Sequence, residues 1–168
     1  MNHVILIGFM GCGKSSVGKM LARELSVPFV DTDAWIEEQN GRKISDIFRE
    51  SGEEYFRELE TRALEQLLED EGRKVIAVGG GLPMRPVNRE YLKKLGTTVY
   101  LLAQPETLVA RLQGDDTRPL LQGGELRQKI LQLMSDREDI YQSAADIRIS
   151  TDGKKICEIT EEIRRYVG

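Results

Sequence analysis

Gly8-Phe9-Met10-Gly11-Cys12-Gly13-Lys14-Ser15 follows directly on the apolar run Val4-Ile5-Leu6-Ile7 and leads into a stretch with helical periodicity. Strand, then G-x-x-x-x-G-K-S, then helix is the order in which this motif works. Gly8, Gly11 and Gly13 let the backbone curl until several N–H groups face one anion, and the helix adds its positive N-terminal end. Lys14 is placed to reach β- and γ-phosphates, and the Ser15 hydroxyl to ligate Mg²⁺. The stretch implies a bound nucleoside triphosphate.

Outward from this loop, strand-like runs recur at His3–Ile7, Phe29–Asp31, Val75–Val78, Thr98–Leu102 and Ile147–Ser150. Helical periodicity separates them. Lys14 to Leu25 puts Val17, Leu21 and Leu25 on one face. A longer helix is expected from Ser51, with Glu54 completing a capping box and a stripe through Tyr55, Phe56, Leu59, Ala63, Leu64, Leu67 and Leu68. Pro105 opens another, to about Gln113, and Glu125–Ala145 and Lys155–Val167 complete the set. Alternating strands and helices predict an α/β three-layer sandwich around a central five-stranded parallel sheet. Ligands of such sheets sit at the carboxyl ends of the strands.

The chain has 168 residues, the size of a single domain. Its 24 basic and 28 acidic residues leave a net charge of −4, so there is no overall basic field for nucleic acid or anionic lipid. Neither a signal segment nor a membrane span is legible. Two cysteines, Cys12 and Cys157, suit a reducing cytoplasm better than a disulfide framework. Cys12, beside a helix N-terminus, is expected to be open to alkylation and protected by ATP. His3 is the single histidine, so histidine-based acid–base or metal chemistry is excluded and carboxylates are left.

The strand Val75-Ile76-Ala77-Val78 ends in Gly79-Gly80-Gly81, where phosphate-loop proteins usually place a magnesium carboxylate. Pro28-Phe29-Val30-Asp31-Thr32-Asp33 offers two acids at i and i+2, on one face of extended backbone. Asp31 suits Mg²⁺ through water. Asp33 suits a hydroxyl of an acceptor, or else caps the helix beginning at Ala34. The three glycines leave room for a ligand against the backbone, or form a flexible turn. Arg57 and Glu60 are neighbours on a helix, either as a fork for a carboxylate or as a solvated ion pair. Arg137 carries the same two readings. Gly114 to Gly124, glycine at both ends, reads as a hinged lid or an ordinary loop. Two convergent arginines would hold a phosphate as well as a carboxylate, which keeps gluconate and nucleoside monophosphate kinases open. A GTP switch is disfavoured, because N-K-x-D and D-x-x-G are both missing.

Together the loop, Asp31-Thr32-Asp33, Phe56-Arg57 with Glu60, Gly79-Gly80-Gly81, Arg118-Pro119-Leu120-Leu121, and Arg137 with Tyr141 resemble the shikimate kinases, from the first strand to about Thr151. The resemblance implies a phosphate-loop nucleoside triphosphate hydrolase fold in one domain, residues 1–168. Within it lie an acceptor-binding helical part at about 33–60 and a lid at about 114–124. It implies a cytoplasmic monomer that phosphorylates the 3-hydroxyl of shikimate with ATP and Mg²⁺, in chorismate and aromatic amino-acid biosynthesis. Nucleotide contacts would come from Gly11, Cys12, Gly13, Lys14, Ser15, Ser16, Arg111, Arg118 and Lys154. Asp33 would bind and activate the acceptor, with Lys14 and Arg118 as its catalytic partners. Arg57 and Arg137 would clamp the carboxylate, Glu60 would orient Arg57, and Gly79, Gly80 and Gly81 would complete the pocket. Ser15 and Asp31 would serve the metal. At the adenine site the family often has a second arginine after the last strand, where this chain has Lys154 and Lys155.

Overall fold

The computed structural model describes residues 2–168. In chain order the elements are β1 (His3–Ile7), α1 (Lys14–Leu25), β2 (Phe29–Asp31), α2 (Thr32–Asn40), α3 (Ile44–Ser51), α4 (Glu53–Glu69), β3 (Val75–Ala77), α5 (Pro86–Leu95), β4 (Gly96–Leu102), α6 (Pro105–Leu112), α7 (Leu126–Ala144), β5 (Ile147–Ser150) and α8 (Ile156–Val167). Short 3₁₀ turns lie at Leu82–Met84 and Pro119–Leu121. The strands form one parallel sheet in the order β2-β3-β1-β4-β5. The chain leaves β1 outward to β2, returns to β3, then crosses to β4. The topological switch therefore lies at the end of β1, where the phosphate loop begins.

β1 is buried along its whole length because both sheet faces are covered. Val4 and Leu6 join one core with Val17 and Leu21 of α1, Leu108 of α6, Ile130 of α7 and Ile159 and Ile163 of α8. Ile5 and Ile7 join the other with Leu64 and Leu67 of α4, Leu92 and Leu95 of α5 and Tyr141 of α7. A third cluster, Ile36, Ile47 and Phe56 with Trp35, Ile44, Phe48, Tyr55 and Leu59, binds α2, α3 and α4 together. Among the described residues no helix is long and apolar enough to cross a membrane.

The structure differs from the sequence expectation in three places. Ser51 ends α3 instead of capping α4; Gly52, at φ 86, turns the chain between them, and Glu54 pairs with Arg85 instead of closing a capping box. Helix α3 is too short for periodicity to announce, and α5 hides because one of its buried positions is Asn88. The apolar stripe of α4 is interrupted by Glu60, which has no solvent exposure. A carboxylate at that depth requires a partner or a function.

Candidate active site

Gly13 caps α1 in a left-handed conformation, φ 99, which only a residue without Cβ adopts cheaply. The Lys14 ammonium folds back into the loop and donates to the Gly8 carbonyl at 2.7 Å and the Phe9 carbonyl at 3.1 Å. Ser15 Oγ donates to Asp31 Oδ2 at 2.8 Å. A cleft of about 660 Å³ opens here, lined by Gly11, Gly13, Lys14, Ser15 and Ser16, by Asp31 and Asp33, and by Arg111 and Arg118.

Asp31, not Asp33, caps α2: its Oδ1 accepts from the backbone N–H groups of Asp33 at 2.9 Å and Ala34 at 3.3 Å. That leaves the Asp33 carboxylate free of the helix end. Asp33 Oδ1 is buried without a hydrogen-bond partner, although the residue as a whole is only partly covered. Burial, reinforced by the neighbouring Asp31 charge, raises its pKa to about 6 against the pull of Lys14 and Arg118.

The glycine run approaches three functional side chains in turn. A Cβ on Gly79 would lie 2.8 Å from both Asp33 Oδ1 and Glu60 Oε2, one on Gly80 would lie 3.1 Å from Arg137 Nη1, and one on Gly81 would lie 2.4 Å from Arg57 Nη1. Any larger residue would displace a charged group, so close approach, and not turn flexibility, explains the run. Gly79 N–H donates to Thr32 Oγ1 at 3.1 Å, tying the run to the start of α2.

Arg57 donates to Glu60 Oε1 at 2.7 Å and also pairs with Glu53 at 3.2 Å. The Arg57–Glu60 pair is thus not a solvated surface bridge. Glu60 Oε2 is buried without a partner, and burial pushes the Glu60 carboxyl up in pKa despite Arg57. Arg137 of α7 is 4% exposed, its Nη1 has no partner, and its guanidinium stands 5.8 Å from the centre of the Phe9 ring. A buried arginine with an unpaired donor is a seat for an anion.

These groups line a smaller pocket next to the cleft, walled by Ile44, Phe48 and Phe56 and covered by Thr117 to Leu120. Sequence reading did not single out Ile44 or Phe48, since an apolar wall carries no chemical signature. The covering segment has glycines in left-handed conformations at both ends, Gly114 at φ 81 and Gly123 at φ 71. Asp115 organises it, accepting from Thr117 N at 2.8 Å and lying 3.6 Å from Arg118 Nε. Asp33, Gly79, Gly80 and Arg118 line both cavities.

Of the expected nucleotide contacts, the Lys154 side chain lies outside the cleft lining and the Cys12 side chain turns into the core. Lys154 Nζ is paired with Glu162 at 2.7 Å and is not part of the cleft lining, whereas Arg111 lines it and donates to the Gly11 carbonyl at 2.9 Å. The Cys12 side chain, 2% exposed, packs into the core with Phe9 and Val17, with its sulfur 3.8 Å from Lys14 Nζ beneath the loop, so ready alkylation is not expected.

A family model described as shikimate kinase matches residues 10–167. The chain is 47% identical over 163 residues to the shikimate kinase of Persephonella marina, covering 97% of each. It is 46% identical over 165 residues to that of Geobacter sulfurreducens, covering 98% of this chain and 90% of the relative. The solved structure of shikimate kinase from Acinetobacter baumannii in complex with shikimate matches with a TM-score of 0.95 at 35% identity, over 99% of this chain and 93% of that one. A gluconokinase from Sinorhizobium meliloti shares the fold, with a TM-score of 0.57 at 15% identity.

Proposed function

The chain belongs to the shikimate kinase family, and from that premise we propose that it transfers the γ-phosphoryl group of ATP to the 3-hydroxyl of shikimate, yielding shikimate 3-phosphate and ADP. The observation that carries this reading is the shared wall: Asp33 and Arg118 line both the cleft at the phosphate loop and the pocket holding Arg57 and Arg137. A donor phosphate in one cavity and an acceptor hydroxyl in the other would meet there.

Each group then has a role set by its place. The loop amides and Lys14 hold the β- and γ-phosphates. Arg57, pinned between Glu53 and Glu60, and Arg137, with its free donor, receive the carboxylate of the acceptor. Asp33, with a pKa of about 6, is ionised at neutral pH and accepts the proton of the attacking hydroxyl. As the new O–P bond forms and the bond to the β-phosphate oxygen breaks, Arg118 neutralises charge on the group in flight. The covering segment excludes water, which limits idle hydrolysis.

Ser15 Oγ and Asp31 Oδ2, 2.8 Å apart at the loop, are an oxygen-only donor set that fits Mg²⁺. No cluster of three or more His, Cys, Asp or Glu forms among the described residues, so phosphate oxygens and water would fill the other positions. When bound, Mg²⁺ supplies charge neutralisation on the phosphates. Arg111, which lines the cleft, would stack on adenine. The family resemblance implies a monomer in the cytoplasm, and the net charge of −4 offers no overall basic field for nucleic acid or anionic lipid.

ADP release with shikimate, gluconate and nucleoside monophosphates as acceptors tests the reading. Turnover is expected with shikimate. Turnover with another acceptor and none with shikimate would overturn it.

A further inference from the structure

Within the glycine run, the carbonyls of Gly79 and Gly81 accept from the backbone N–H groups of Leu82 and Met84, both at 3.1 Å. The Gly80 carbonyl between them takes a different donor, the Tyr141 hydroxyl at 2.5 Å. Tyr141 is 1% exposed, and the Tyr100 ring, 5.1 Å away centre to centre, packs against it. Burial pushes the phenol up to about 12, so it stays a donor at any working pH. Tyr141 lies one helical turn beyond Arg137 on α7, so one face presents both the anion seat and this hydroxyl.

The Gly80–Gly81 peptide is trans, as are all described peptides, so its N–H points opposite to its carbonyl. Gly79, Gly80 and Gly81 line the smaller pocket and Tyr141 does not. From this arrangement we infer that Tyr141 is a positioning residue: its hydroxyl holds the Gly80 carbonyl away from the acceptor and so aims the Gly81 N–H at it. With that donor gone, the peptide can turn and present a carbonyl to an acceptor rich in oxygen. The same peptide underlies the Arg57 guanidinium, so its turn would disturb the carboxylate clamp as well.

Tyr141→Phe deletes one oxygen and keeps the ring. The inference rests on shikimate as acceptor, and wild-type turnover with shikimate, measured alongside, separates failure of that reading from failure of this one. Steady-state kinetics should give a shikimate KM raised about tenfold, the scale of one buried carbonyl left without its donor, with the ATP KM unmoved. Tyr100→Phe is the control: it loses the hydrogen bond to Glu138 at 2.5 Å on the neighbouring ring and should leave both constants alone. A shikimate KM within twofold of wild type, with only thermal stability lowered, would reduce Tyr141 to a core residue. If Tyr141→Phe does not fold, the wild-type protein answers through its glycine amides. Adding shikimate should move the Gly81 amide resonance more than that of Gly79, which already donates to Thr32; an unresponsive Gly81 overturns the inference.

Discussion

The two halves of the site are built on opposite plans. The donor half is largely contiguous: Gly8 to Ser16 bring backbone amides, a lysine and a hydroxyl on one loop and one helix start, and only Asp31 and Arg111 join from elsewhere. The acceptor half is gathered from five places, with Asp33 on α2, Arg57 and Glu60 on α4, Gly79 to Gly81 after β3, Arg118 before the second 3₁₀ turn and Arg137 on α7. The donor half recognises phosphate with backbone that any such loop supplies. The acceptor half uses buried, incompletely paired charges, which only a packed interior can hold and only a matching ligand satisfies. Affinity for nucleotide should therefore survive changes that abolish acceptor binding, while turnover should depend on the few groups that touch both.

Arg118 and Asp33 stand on the boundary and should show the largest effects. Arg118→Ala is expected to lower kcat about 10³-fold with small changes in either KM. Near-normal turnover would demote it to a loop residue. Asp33→Asn should lower kcat by about 10²–10⁴-fold, and the wild-type rate should fall as pH drops through about 6, where Asp33 protonates. Stability should move the other way. The folded pKa of about 6 lies above the ordinary aspartate value of 3.8, so the stability tied to the Asp33 proton is full below pH 4 and lost as pH rises through 6. Asp33→Asn should therefore melt higher than wild type at pH 8 and show no such gain at pH 4. A gain at pH 4 alone would contradict the burial argument.

Changes confined to the acceptor half come next. Arg137→Ala should raise the shikimate KM about 10²-fold while the ATP KM holds, since the clamp binds ground and transition states alike. An equal rise in both constants would mean the halves are not separable. Gly81→Ala puts a methyl 2.4 Å from a guanidinium held by Glu53 and Glu60, and should raise the shikimate KM about tenfold. The smallest effect is expected at Cys12: its buried thiol should react with iodoacetamide no faster than the protein opens. Rapid inactivation that ATP prevents would place the thiol in the cleft after all.

Sequence reading named the groups of both halves better than it foresaw their surroundings, for reasons visible in single residues. Arg57 and Glu60 could be paired from helical spacing, but spacing does not distinguish a solvated bridge from one whose acid has no exposure. Asp31 and Asp33 could be put on one face, but which of them caps α2 depends on how the chain bends after β2. Asn88 shows the cost of a polar residue inside an apolar pattern. It is 1% exposed, donates to the Leu82 carbonyl at 2.9 Å and accepts from Thr61 at 2.8 Å, and that buried polarity concealed α5. Lys154 stands where the family often has an arginine, but its ammonium pairs with Glu162 and the residue lies outside the cleft lining.

The sequence alone determined the phosphate loop, the parallel sheet and the alternation of layers, because glycine conformations, apolar runs and helical periods are local and repeat along the chain. Tertiary structure alone decided that Glu60 is buried, that Cys12 turns inward, that Asp33 is released from capping, and that three glycines lie against Asp33, Arg137 and Arg57. Those outcomes depend on burial and on the direction of side chains brought together from distant segments. Neither is defined until the helices have packed on the sheet.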